Sequence, residues 1–213
     1  KIMILTINCT QGLEFAFFRN KKMILRKKSK KLRNISEKLV LEIENSLSNL
    51  GVDYKSIKKI IILTGPGSFT GIRTAITFAK TLNLYLNIKV LGISKFEVLN
   101  LLTKKNDDLK MKNILIKNNQ DTFFLQKFNA LGIAKSVPEL FHFKDKKLII
   151  GNMDKRIICD GFELKEYLDC KKKTKIVNLI EVIDYKIYDI YKVTEKLSEK
   201  QYIPKPLYTK NFF

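Results

Sequence analysis

The sequence predicts an α/β protein, a mixed sheet with covering helices, in two halves of which the second is degenerate. Three observations carry this. The chain has 213 residues, 45% of them apolar, which suits one large domain or two small ones with a real core and excludes a disordered chain, whose mark is apolar depletion. Its opening holds three short apolar runs separated by turn residues. After these, helical and strand periodicity alternate, the pattern of a sheet with helices packed on it.

Each element follows from its own pattern. Residues 2–7 (IMILTI) form a continuous apolar run of strand length, Gln11-Gly12 supplies a turn, and 13–18 (LEFAFF) and, after Asn20-Lys21, 22–28 (KMILRKK) complete a three-stranded meander. Ile35, Leu39, Ile43, Leu47 and Leu50 then recur at three- and four-residue steps, the stripe of an amphipathic helix. Asn34 and Glu37 have capping-box spacing, and Gly51 marks the stop. A buried-type strand over 60–63 breaks at Gly65-Pro66-Gly67. Ile72, Ala75, Ile76, Ala79 and Leu82 line a second helix with small residues on its face, and a strand over 89–93 and a helix over 95–102 follow. A meander followed by helix–strand alternation is the arrangement of ribonuclease-H-like and actin-like domains. The polar stretch 104–112 (KKNDDLKMK) reads as a linker, after which the order restarts. A hairpin is expected over 114–117 and 123–128, short strands over 148–150, 157–159 and 177–179, and helices over 139–143, 164–168 and 179–196 with Tyr185, Tyr188 and Tyr191 along one face. The predicted halves are 1–103 and 104–213, the latter ending in a tail.

Lys and Arg number 41 against 21 Asp and Glu, a net charge of +20. Such a surplus favours a polyanionic partner, although a coding bias towards A and T would also enrich Lys. Residues 19–33 hold nine basic side chains and no acid. A solvated face, a nucleic-acid backbone contact through Lys27, Lys28, Lys30 and Lys31, and contact with an acidic protein are all open readings. Phe15, Phe17 and Phe18 fit a buried strand better than a base-stacking platform. Cys9, Cys159 and Cys170 stand at wide spacings without Cys-x-x-Cys, and His142 is the one histidine, which argues against a zinc site or a disulfide framework. Pairing of Cys159 with His142 stays formally open. Asp107-Asp108, flanked by lysines, lack the burial that would separate two carboxyl pKa values. No run reaches the ~18–20 apolar residues of a membrane span and no signal peptide is apparent, so a cytoplasmic protein without metal or catalytic residues is expected.

Residues 64–73 (TGPGSFTGIR) join a strand to a helix, where glycines and helix amides can hold an anion. Thr70 stands where both the P-loop and the dinucleotide fingerprint require glycine. An anion-binding loop and a tight structural turn capped by Ser68 or Thr70 are both open.

As a string, Gly65, Pro66, Gly67, Ser68, Phe69, Thr70, Gly71, Ile72 and Arg73 resemble the signature of the TsaB (YeaZ) family, the partner subunit in bacterial biosynthesis of threonylcarbamoyladenosine on tRNA. Ile4 to Thr10 resembles that family's opening strand and turn, 34–39 (NISEKL) the start of its first helix, and 206–211 (PLYTKN) its closing Pro-x-Tyr-x-Arg-Asn. The likeness is strongest over 1–103. Asn8-Cys9 replaces the usual Asp-Thr, Ile35 the usual histidine, and 116–124 (IKNNQDTFF) the common Ile-Asp-Ala-Arg stretch; roles of those positions do not carry over.

The resemblance implies the actin-like (ASKHA) fold and a non-catalytic scaffold that binds and activates a TsaD-like catalytic homologue. The first two helices would pair with the partner's equivalents through Leu39, Ile43, Leu47, Ala75, Ile76 and Ala79, or with a second copy when the chain is alone. It also implies a TsaE-like ATPase, tRNA reached through the complex, no cofactor in this subunit, and ATP and a metal ion used by the partners. An ATP-using or peptidase-like enzyme of the actin-like superfamily, or a free-standing basic RNA-binding protein, are the alternatives.

Overall fold

The computed structural model describes residues 2–29, 34–103, 111–142, 144, 156–161, 179–195, 197 and 204–205. The chain divides into two compact units, Lys1–Lys95 with Lys186–Leu207 and Phe96–Tyr185 with Tyr208–Phe213. The first unit thus takes in a C-terminal segment as well as the N-terminal one.

In the first unit, β1 (Met3–Asn8), β2 (Leu13–Arg19) and β3 (Lys22–Ser29) form the predicted meander. Asn20 and Lys21 both have positive φ, 49° and 63°, the two-residue turn whose twist suits adjoining antiparallel strands. β4 (Ile57–Leu63) and β5 (Lys89–Ile93) add in parallel, giving the order β3-β2-β1-β4-β5.

Helix α1 (Ile35–Asn49) buries Ile35, Leu39, Ile43 and Leu47, as the periodicity predicts. Its start differs: Asn34 sits in a left-handed conformation (φ 54°) and its side chain makes no cap, because capping geometry needs extended backbone at that position. Its end is as read. Gly51 takes φ 62°, its N–H donates to Ser48 O and that of Val52 to Leu47 O, the paired bonds of a Schellman stop.

Helix α2 (Phe69–Leu86) buries Gly71, Ile72, Ala75, Ile76 and Ala79. α1 and α2 share one core with Met3, Leu5, Ile7, Phe15, Phe17, Ile60 and Ile62. All six residues expected at a partner interface, Leu39, Ile43, Leu47, Ala75, Ile76 and Ala79, are at most 4% exposed in that core. The expectation is corrected here: their stripes are spent on the chain's own sheet, and a partner must meet other faces of these helices.

Helix α4 (Ile187–Thr194) packs against β1, β2 and β4, with Tyr191 stacked on Phe18 at 4.0 Å between ring centres. The predicted helix over 179–196 is therefore half right. Residues Leu179–Ile183 form strand β10 instead, because LIEVI is an apolar, β-branched run with a parallel partner strand in reach. Tyr185 precedes the helix, so only Tyr188 and Tyr191 lie on it.

The second unit holds α3 (Lys95–Leu102, entering from the first unit at Lys95), β6 (Met111–Lys117), β7 (Thr122–Asn129), β8 (Glu139–His142), β9 (Arg156–Asp160) and β10. Its order, β10-β9-β6-β7-β8, is the first sheet's topology again: a meander, then two parallel strands on the side of its first strand. Residues 139–142 pair with β7, and Phe141 stacks on Phe123 at 5.9 Å, so the helix expected over 139–143 is corrected to a strand. The regions 148–150, 164–168 and 206–211, with Asp107, Asp108 and Cys170, lie outside the described residues. Among the described residues no helix is long and apolar enough to cross a membrane.

Candidate functional site

The glycine loop is built against the β1–β2 turn. Ser68 N–H donates to Thr10 O at 2.8 Å, and Lys95 N–H to Gly65 O at 2.7 Å. Ser68 caps α2, its hydroxyl accepting from Gly71 N–H at 3.2 Å. A Cβ on Gly67, where φ is 156°, would stand 2.6 Å from both the Cβ and the carbonyl oxygen of Thr10, and one on Gly71 would collide with the Cys9 carbonyl oxygen. These two glycines let two pieces of backbone touch. Gly67 packs directly on Thr10 of the β1–β2 turn. Gly71→Ala is expected to lower the stability of the first unit by about 1–3 kcal/mol, the range for overpacking, seen as a lower urea midpoint by circular dichroism.

The turn is closed around Asn8. Its Oδ1 accepts from Thr10 N–H at 3.1 Å and Thr10 Oγ1 at 2.7 Å, and its Nδ2 donates to Glu14 at 3.4 Å. Glu14 in turn accepts from Arg26 Nε at 2.9 Å and Nη2 at 2.6 Å. The carboxamide is held on both sides. Beside it, burial pushes the Cys9 thiol up to about 12, so it stays protonated and inert at neutral pH.

A groove of about 770 Å³ runs between α1 and α2, with Ser36 and Val40 on one bank, Thr70, Arg73, Thr74, Thr77 and Thr81 on the other, and Tyr54, Phe78 and Leu82 also in its lining. Phe69 stands 50% exposed at its end with the Arg73 guanidinium 3.9 Å over its ring, a cation–π contact. Thr70, Thr74, Thr77, Thr81 and Leu84 follow the 4-3-4-3 spacing of a helix–helix seam. Sequence reading missed this stripe because threonine does not register as apolar; the spacing itself was the available signal.

The structure divides the basic run. Lys27 lies 3.8 Å from Glu42 of α1, Lys28 is the register partner of Glu14, and Lys30, Lys31 and Arg33 lie outside the described residues. Cys159 and His142 do not form a pair: β9 and β8 are three strands apart, ~14 Å at normal strand spacing, and Cys159 is buried while His142 is exposed.

Comparison with known proteins adds an independent line. A sequence model of the family "TsaD: tRNA N6-adenosine threonylcarbamoyltransferase" matches residues 29–111. The tRNA threonylcarbamoyladenosine biosynthesis protein TsaB of Bacillus subtilis (strain 168) is 33% identical over 67 residues, 32% of this chain and 29% of that protein, so the matched stretch spans under a third of the relative's length. In fold, the chain is similar to YeaZ from Pseudomonas aeruginosa, with TM-score 0.63, 14% identity and 92% of each chain covered. It is also similar to a Bacteroides thetaiotaomicron protein with an actin-like ATPase fold, with TM-score 0.56, 12% identity, and 91% of this chain and 96% of that one covered. The fold is thus actin-like, with one sheet topology used twice. Over the matched stretch the sequence is similar to a TsaB protein, and over most of its length the fold is similar to that of YeaZ.

Proposed function

We propose that this chain serves tRNA threonylcarbamoyladenosine biosynthesis as a non-catalytic subunit that binds and activates a TsaD-like catalytic homologue through the α1–α2 groove. The observation that carries the reading is the second face of the two helices. With their apolar stripes already buried in the sheet, they still present Val40, Phe69, the threonine seam and Leu84 to solvent or to the groove. An apolar and small-residue groove between two helices suits two helices of a partner, packed ridge into groove. A TsaE-like ATPase would join the assembled pair, and ATP and its metal ion would belong to the partners. Alone, the chain would close the same groove against a second copy.

A scaffold role is supported by the β1–β2 turn, where a neutral carboxamide held by Thr10 and Glu14 replaces the acid that phosphate chemistry uses at this turn in the superfamily. Pull-down of the tagged chain from its native cells is expected to recover the TsaD-like subunit in equal amount. The purified chain should show neither threonylcarbamoyl transfer nor ATP turnover, and Asn8→Asp should create neither. Robust turnover by the chain alone would refute the scaffold role.

A further inference from the structure

The topology of the first sheet gathers cations that the sequence keeps far apart. β1, β3, β4 and β5 run in one direction and β2 in the other. The N-terminal ends of four strands and the C-terminal end of β2 therefore share one end of the sheet. There the register sets Arg19 of β2 opposite Lys22 of β3, and Lys59 of β4 opposite Lys89 of β5. Lys21 occupies the β2–β3 turn, Lys58 is the second residue of β4, and Lys55 lies in the 3-10 turn Tyr54–Ser56 that leads into it. Three separate segments, 19–22, 55–59 and 89, thus contribute seven cations to one line. Five strands at normal spacing make it ~19 Å long.

Lys21, Lys22, Lys55, Lys58 and Lys89 are exposed; Arg19 and Lys59 are half-buried. Asp53, the carboxylate just before Lys55, is turned onto Ser56, accepting from its N–H at 3.2 Å and its hydroxyl at 3.4 Å. At the other end of β3, Arg26 is held by Glu14 and Lys27 stands near Glu42.

We infer that this line, Lys22–Arg19–Lys58/Lys59–Lys89 with Lys21 and Lys55, is a docking edge for the phosphodiester backbone of tRNA. The exposed lysines along this end of the sheet complement a run of phosphates. Tyr54 beside it belongs to the groove lining, and a row of lysines is suited to the phosphate backbone. The choice of tRNA among polyanions rests on the proposed role in tRNA modification. It also moves the expected RNA contact away from Lys27 and Lys28.

The test uses the full chain, alone and with the TsaD-like subunit, and measures Kd for a tRNA transcript by fluorescence anisotropy across a potassium chloride series. Each phosphate neutralised contributes ~0.7–0.9 to the slope of log affinity against log salt. The triple variant Lys22→Gln, Lys55→Gln, Lys58→Gln is expected to flatten the slope by about two to three and to weaken binding at least ~10-fold at physiological salt. Lys27→Gln with Lys28→Gln should change the slope by less than about one. Because all five lysines are exposed, circular dichroism should show both variants folded. Equal slope losses in the two variants, unaltered tRNA binding by the triple variant, or a loss confined to phosphatidylserine vesicles would overturn the inference. Co-purification of each variant with the TsaD-like subunit is read separately: a triple variant that keeps its partner but loses tRNA supports the edge, and a wild-type chain that binds tRNA through these lysines but never the partner refutes the scaffold role alone.

Discussion

Val40→Asp and Thr77→Glu, singly, should weaken association with the TsaD-like subunit by more than ~2 kcal/mol, about thirtyfold or greater in Kd, while leaving the chain folded. The magnitude comes from desolvation, since a carboxylate forced into a closed helix–helix interface loses its water and gains no partner. Folding is spared because Val40 is 43% exposed and Thr77 is exposed on the outer side of α2, so in the free chain either new charge stays in water. Titration calorimetry against the purified partner, with thermal melts of the variants alone, reads both halves of the expectation. Normal binding by folded variants would place the interface elsewhere.

One residue away on α1, and two residues away on α2, the outcome should invert. Leu39→Asp and Ala79→Glu place a charge at positions with no exposure at all, in the core that α1 and α2 share with β1 and β4. An unpaired buried charge belongs to the few changes that cost upwards of ~4 kcal/mol, a large part of the ~5–15 kcal/mol that holds a domain together. These variants should lose the cooperative unfolding transition of the first unit and become protease-sensitive. Partner binding would then fail for want of a fold. Comparing Leu39→Asp with Val40→Asp therefore separates core from interface within a single helical turn, and a well-folded Leu39→Asp would refute the packing described for α1.

Much of this was readable in advance where a single segment carries its own pattern. The spacing of Ile35, Leu39, Ile43 and Leu47 specified α1 because an amphipathic period is a property of one helix, and Gly51 specified its end because few other residues take φ 62° cheaply. Residues 89–93 and 95–102 emerged with the bounds expected of them. The β2–β3 turn announced itself through Asn20, a residue that tolerates the left-handed region. The loop over 65–73 could be located as a string, but what Gly67 packs against could not: it is Thr10, from a turn more than fifty residues earlier.

The misreadings share a cause. Residues 139–142 and 179–183 are short apolar runs that periodicity cannot assign, and only a neighbouring strand with free hydrogen-bonding groups made them β8 and β10. Asn34 has the right residue type for a cap, but side-chain chemistry does not set backbone conformation, and its left-handed φ turned the cap away. By itself the sequence determined the amphipathic stripes, the meander, the signature loop and the surplus of positive charge, all of them properties written within one segment. Only the tertiary structure decided which side of each stripe the sheet consumes and which lysines stand in line at its end, because burial and register are relations between segments that a linear pattern does not contain.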